Sequence, residues 1–169
     1  MYFRLFALLG AVATRSVVAA DTAPMNRVVC AIEAPICARA NVQRNETVIE
    51  RSIKETRSVE RLWSVPRWLN VVRVDESGDH LLVEATPFAM LPSDASPNFV
   101  VLQVFSRGKL RREITLEEVL PDLASQTTAM RLGAWGKGLG SAESGTARYL
   151  LASGQSLTIN LATAKIQRE

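Results

Sequence analysis

A chain of 169 residues with 47% hydrophobic residues is long enough to bury one hydrophobic core, and its length favours one domain over two. Its formal net charge is only +3, and acidic and basic residues are interleaved, as between Glu50 and Arg61. No basic patch of the kind that binds nucleic acid is therefore indicated.

The first 20 residues predict a cleaved secretion signal. Arg4 supplies the positive charge of the leader, residues 5–13 form an apolar segment too short to span a bilayer, and Val18-Ala19-Ala20 provide a small-residue cleavage site. Cleavage would leave residues 21–169 as a single β-rich domain with a formal charge of about +1. We expect an exported protein, periplasmic or extracellular, with no transmembrane segment after cleavage. The alternative is a retained membrane anchor at residues 5–13.

Cys30 and Cys37 are the two cysteines of the sequence. Two thiols in an exported chain usually pair in the oxidising compartment, so we predict a structural disulfide. The spacing does not fit a redox motif, which has two intervening residues, and a metal site would need further Cys or His ligands beside the single histidine, His80.

The segment before residue 66 has the weakest signals. Residues 21–41 lack a clear period, apart from a short predicted strand within residues 28–32. Residues 45–63 fit one apolar face of a helix, but they also fit two β-branched strands, 48–53 and 59–63, separated by polar residues. Periodicity alone slightly favours the helix.

Three hairpins are predicted after residue 66, each turned through a glycine: 69–86, 99–114 and 146–161. Residues 131–145 fit a loop or a bulged strand.

The middle hairpin carries the most information. Residues 99–105 are apolar on both faces except at one position, which predicts a strand covered on both sides. In the return strand, residues 110–114, simple alternation places Arg111 on the face opposite Leu110 and Arg112.

A short helix should follow this hairpin. Thr115 and Glu118 match a capping box, in which each residue's side chain bonds the other's amide. Pro121 lacks an amide proton, so the helix near residues 116–123 has only one or two turns. Together these elements predict a mainly β fold: an antiparallel sheet of several hairpins, as a meander, sandwich or partial barrel, with one short helix.

A combination of motifs lies between about residues 61 and 163. It comprises Leu62-Trp63-Ser64-Val65-Pro66, Ser77-Gly78, Leu91-Pro92-Ser93-Asp94-Ala95-Ser96-Pro97, residues 101–110 with Phe105 and Gly108, residues 116–120, Thr128, Trp135-Gly136 and Leu139-Gly140. On these residues the chain resembles a group of uncharacterised exported bacterial proteins that are rich in β-structure. The resemblance implies strands rather than a helix at residues 48–53 but implies no site residues. The chain departs from the group at residues 131–134, where polar and aromatic residues would be expected.

The predicted turn between residues 75 and 80 combines carboxylates with the single histidine. Asp75 and Asp79 are of the type that ligates calcium, and His80 beside them is of the type that acts as a base. Asp, Ser and Gly are also favoured in hairpin turns for backbone reasons, which is the interpretation we prefer. Asp94, in a proline-rich loop, is the other candidate for a functional loop. We predict no catalytic residue, no cofactor and no metal site.

Two functional hypotheses follow. The first is a non-catalytic exported protein that binds another protein or a cell-envelope component, suggested by the leader, the predicted disulfide and the near-neutral mature charge. The second is an inhibitor or immunity-type protein for an envelope enzyme, or a hydrolase, acting through the loop residues named above. A serine hydrolase would need His80 as its base, and no nucleophile-elbow motif supports one.

Overall fold

The computed structural model describes residues 24–86, 91–92, 95–121, 136–139, 145–151 and 153–169. Within these ranges the chain forms twelve strands and one α-helix. The strands are β1 (Arg27–Cys30), β2 (Ile36–Asn41), β3 (Glu46–Ile53), β4 (Ser58–Val65), β5 (Val71–Val74), β6 (His80–Glu84), β7 (Val100–Ser106), β8 (Lys109–Thr115), β9 (Gly136–Leu139), β10 (Thr146–Leu151), β11 (Ser156–Asn160) and β12 (Ile166–Arg168), and the helix is α1 (Leu116–Val119). The predicted mainly β fold with one short helix is confirmed for these residues. The predicted secretion signal lies outside them.

Consecutive strands build three four-stranded antiparallel sheets. The N-terminal sheet contains β1 to β4, the central sheet β5 to β8 and the C-terminal sheet β9 to β12, and in each sheet every strand pairs with the next one along the chain. The strands of a sheet are therefore neighbours in sequence, which is the arrangement that short turns favour.

The central sheet is covered on both faces. Along β6, Leu81 and Val83 belong to a core shared with the N-terminal sheet, whereas Leu82 between them belongs to a core shared with the C-terminal sheet. This division follows the two-residue period of a strand. In β7, Leu102 and Phe105 are at most 2% exposed and also divide between the two cores. The prediction of a strand covered on both sides is thus confirmed for β7.

All three predicted hairpins are present, as β5–β6, β7–β8 and β10–β11. In the two-residue β7–β8 turn, Arg107 and Gly108 have φ angles of 45° and 82°. Positive φ at both central positions matches the twist of the flanking strands, which explains the glycine.

The capping box of α1 is confirmed. The Glu118 amide donates to Thr115 Oγ1 at 3.4 Å, and the Thr115 amide donates to Glu118 Oε2 at 2.9 Å. The helix ends at Val119, two residues before Pro121, so it has one turn and the predicted length of one or two turns is confirmed.

The ambiguous segment 45–63 forms strands β3 and β4, so the strand interpretation is confirmed and the helical periodicity was misleading. β3 lies between β2 and β4 and pairs with both, and its Ile49 is fully buried. The apolar positions of this segment also fit one face of a helix. They form strands because pairing and packing against neighbouring strands decide whether a segment is stable as a strand.

The simple alternation predicted for β8 is wrong. Leu110 pairs with Phe105 and Arg112 pairs with Val104, which leaves Arg111 without a partner on β7. Because Phe105 and Val104 belong to different cores, Leu110 and Arg112 lie on opposite faces. The physical reason is a β-bulge, which adds one residue to a strand and re-aims the side chains around it.

The predicted disulfide joins Cys30 to Cys37. These residues are directly opposed on β1 and β2, and between them the Ala31 amide donates to the Ile36 carbonyl at 2.9 Å. The disulfide therefore closes a short hairpin turn at the edge of the N-terminal sheet.

Replacing both cysteines by serine is expected to lower the free energy of unfolding by roughly 2 to 3 kcal/mol, because a short loop is released in the unfolded chain. Urea unfolding followed by tryptophan fluorescence measures the change. Dithiothreitol should destabilise the parent protein and leave the double-serine variant unaffected. If dithiothreitol does not change the urea midpoint of the parent protein, the prediction is contradicted.

Candidate functional site

The β5–β6 turn uses Asp75 to close itself. Asp75 is 5% exposed, its Oδ1 accepts from the His80 amide at 3.0 Å, and its Oδ2 accepts from the Ser77 hydroxyl at 2.7 Å. Gly78 in the same turn has a φ of 77°, which favours glycine. The carboxylate of Asp75 thus holds the turn in shape.

The same turn is attached to both neighbouring sheets. The indole N–H of Trp63 in β4 donates to the Gly78 carbonyl at 2.6 Å. On the other side, Glu76 pairs with the buried Arg73 at 2.8 Å and accepts from the amide of Gly145, just before β10, at 3.2 Å. The structure therefore places this turn at a junction of three sheets.

Asp79 and His80, the other candidates in this turn, have different surroundings. Asp79 Oδ2 forms an ion pair with the Arg107 guanidinium at 2.8 Å, which connects the β5–β6 turn to the β7–β8 turn. Nδ1 of His80 is buried and lacks a hydrogen-bond partner in the described part of the chain. Asp94 lies outside the described residues. Within those residues, no three His, Cys, Asp or Glu side chains form a group that could hold a metal ion.

Asp79→Asn is expected to lower stability at neutral pH and to have no effect in acid. The hydrogen bond from Arg107 holds the pKa of Asp79 below its usual value. A lowered pKa stabilises the folded protein above the unfolded pKa of about 3.9, and the stabilisation is lost as pH falls through the folded pKa. The loss at pH 7 should stay below about 1 kcal/mol, because the pair is largely solvated.

Urea unfolding of both proteins between neutral pH and acid measures this difference. Glu113→Gln, at another exposed carboxylate of the central sheet, serves as the control. If the difference in free energy of unfolding between the parent protein and Asp79→Asn is the same in acid as at neutral pH, the ion-pair explanation is contradicted.

Sequence reasoning missed a chain of hydrogen bonds that links all three sheets and is buried around Glu84. The Tyr149 hydroxyl of β10 donates to Glu84 Oε1 in β6. Asn70, just before β5, donates to Glu84 Oε2 at 3.2 Å and accepts from Arg27 of β1 at 2.5 Å. Glu84 is only 7% exposed and Tyr149 is fully buried. No local pattern indicates this burial, because it depends on the C-terminal sheet, which covers this face of β6.

An open groove of about 710 Å³ runs along β8. One wall consists of the β7–β8 turn and residues 109–112, and the other consists of Thr163 and Ala164 in the turn between β11 and β12. The guanidinium of Arg112 spans the two walls by donating to the Ala164 carbonyl at 2.6 Å. We call this surface the β8 groove.

The β8 groove is cationic. Four described residues that line it are basic and none is acidic: Arg107, Lys109, Arg111 and Arg112. Arg107 is paired with Asp79, and Arg112 is paired with Glu118. Lys109 and Arg111 are exposed, and their side chains form no ion pair or hydrogen bond within the described part of the chain. Two cations of the groove thus remain available to a ligand.

Glu118 helps to keep Arg112 in place. Burial acts to raise the pKa of Glu118, but the hydrogen bonds from the Thr115 amide and from Arg112 outweigh burial and hold this pKa below its usual value. The Arg112–Glu118 pair therefore stays ionised at neutral pH, and the wall of the groove keeps its shape.

The described residues contain no helix long and apolar enough to cross a bilayer. No protein-family model matches the chain, and no curated protein matches it either.

Proposed function

We propose that this chain is an exported, non-catalytic protein of the cell envelope that binds a partner protein in the β8 groove. The observation that carries the proposal is the pair of unpartnered cations, Lys109 and Arg111, on either side of Leu110, which is 45% exposed. Partner surfaces are recognised by complementary charge around apolar contacts, and this groove offers both.

Three features support the exported location. The Cys30–Cys37 disulfide is of the kind that forms and persists in an oxidising compartment. Residues 1–20 have the pattern of a secretion signal. The resemblance to exported bacterial β-rich proteins belongs to the same proposal.

A photo-crosslinking residue in place of Leu110 tests the binding role directly. The same residue in place of Val59, which is 57% exposed on β4 of the N-terminal sheet, is the matched control. In cells that export the protein, we expect a defined protein adduct at position 110, none at position 59, and loss of the adduct in Lys109→Glu/Arg111→Glu.

Adducts that are identical at both positions, or absent from both, would contradict the proposal. His80→Ala should retain the adduct at position 110, because His80 does not line the groove. If His80→Ala abolishes it with the fold intact, the functional surface is the β5–β6 turn instead. If the adduct contains an enzyme whose activity falls when the purified protein is added, the protein is an inhibitor that works through the same groove.

A further inference from the structure

The occupant of the β8 groove follows from the chemistry of its walls, and this inference rests on the proposed function. We propose that the groove binds an acidic segment of the partner protein in extended form, as an additional strand along β8.

The central sheet has a free edge in the described part of the chain. β8 is the last strand of that sheet and, in the described part of the chain, pairs with β7 alone. Every second N–H and C=O group of an edge strand points away from its partner strand and can pair with another chain. The backbone of an extended peptide carries N–H donors and C=O acceptors at the same spacing as these groups, so it can pair with them, as in other complexes formed by strand addition. A phosphate polymer supplies acceptors only, so it would leave the carbonyls of β8 unpaired.

The charge along this edge favours an acidic ligand. Lys109 and Arg111 present two free cations within three residues, and Arg111 is the extra residue of the bulge. Carboxylates on a neighbouring strand lie within reach of such side chains, and opposite charges across two strands stabilise the pairing. Residues 109–112 span about 13 Å of strand, which corresponds to a peptide segment of about four residues.

A second copy of this chain is a poor occupant of the β8 groove. Antiparallel pairing of residues 109–112 with the same residues of another molecule would bring Lys109 against Arg111 or Arg112, which are like charges. Such contacts are unfavourable, and basic residues on edge strands commonly prevent self-association for this reason. The cations that repel a second copy attract an acidic segment.

Fluorescence anisotropy with the full-length protein tests the inference. The probe is a labelled eight-residue peptide in which glutamate alternates with threonine. A second peptide has the same sequence with every amide between its residues N-methylated, which keeps the charge and removes the backbone hydrogen-bond donors of the peptide. Inorganic polyphosphate tests whether charge alone is enough.

We expect the unmodified peptide to bind and the N-methylated peptide and polyphosphate to bind at least about tenfold more weakly, the equivalent of about 1.4 kcal/mol. Lys109→Glu/Arg111→Glu should weaken peptide binding by about tenfold, as the loss of two exposed ion pairs implies. Arg44→Glu/Lys54→Glu makes the same change of net charge at exposed turns of the N-terminal sheet and should leave binding unchanged.

Equal binding of the N-methylated peptide or of polyphosphate would overturn strand addition, and an equal loss in the Arg44→Glu/Lys54→Glu control would overturn the assignment to the groove. If no acidic peptide binds while the crosslink at position 110 persists and depends on Lys109 and Arg111, the proposed function stands and the acidic-strand inference falls. If the crosslink is also absent, both fall.

Discussion

Glu84→Ala is expected to lower the free energy of unfolding by about 3 to 4 kcal/mol, because two hydrogen bonds to a buried carboxylate are lost. The carboxylate accepts from Tyr149 and Asn70, and removing it takes this acceptor from two buried groups on different sheets. The expected loss is larger than for other described carboxylates that lie at the surface.

Urea unfolding monitored by circular dichroism measures the loss. Glu113→Ala removes an exposed carboxylate from β8 and should change stability by less than about 0.5 kcal/mol. Tyr149→Phe deletes the hydroxyl alone and should cost about 2 kcal/mol. A Glu84→Ala protein as stable as Glu113→Ala would show that the buried chain does not hold the sheets together.

Gly136→Ala is expected to cost about 3 kcal/mol, because overpacking adds to the loss of a hydrogen bond. A Cβ atom at position 136 would lie 2.5 Å from Cε1 of the Tyr149 ring and 3.2 Å from the Leu150 carbonyl oxygen. The ring is fully buried and its hydroxyl bonds to Glu84, so displacing the ring would disturb that hydrogen bond.

Gly154→Ala is the matched control for this substitution. Gly154 has a φ of 91°, but nothing lies within 4 Å of an added Cβ. It should therefore show a backbone cost of about 1 to 2 kcal/mol without any packing cost. If Gly136→Ala is the milder of the two, the close approach of β9 to Tyr149 is not what makes glycine necessary there.

Where sequence reasoning succeeded, the interactions are between residues close in the chain. The turn at Gly108 and the capping box of Thr115 and Glu118 depend on backbone angles and on bonds spanning three residues, so both could be read from residue types. The Cys30–Cys37 disulfide was predictable because two thiols close together in an oxidising compartment usually pair.

Two short strands were missed because their patterns are weak. The core-facing residues of β2 include Ala38 and Ala40, which carry little apolar signal. β12 has three residues, too few to show a period. Both strands exist because a longer neighbour, β3 or β11, offers its edge for pairing.

The candidate site was the least predictable part. The sequence pointed to the β5–β6 turn, where Asp75 bonds within the turn and Glu76 accepts from Gly145 just before the C-terminal sheet. The β8 groove was not foreseen, because its walls meet through Arg112 and Ala164, which are 52 residues apart. The bulge that leaves Arg111 without a partner on β7 was also not predicted, because it arises from the pairing register of β7 and β8.

The amino-acid sequence by itself determined the local units: hairpins turned through glycine, a helix limited by Pro121 and a disulfide between neighbouring cysteines. Each depends on sterics or bonding within a few residues. Only the tertiary structure decided which strand faces are covered, because burial depends on what packs against a strand. Stacking of three sheets buries the Glu84 carboxylate of β6, and in the described part of the chain it leaves Lys109 and Arg111 exposed at the edge of the central sheet.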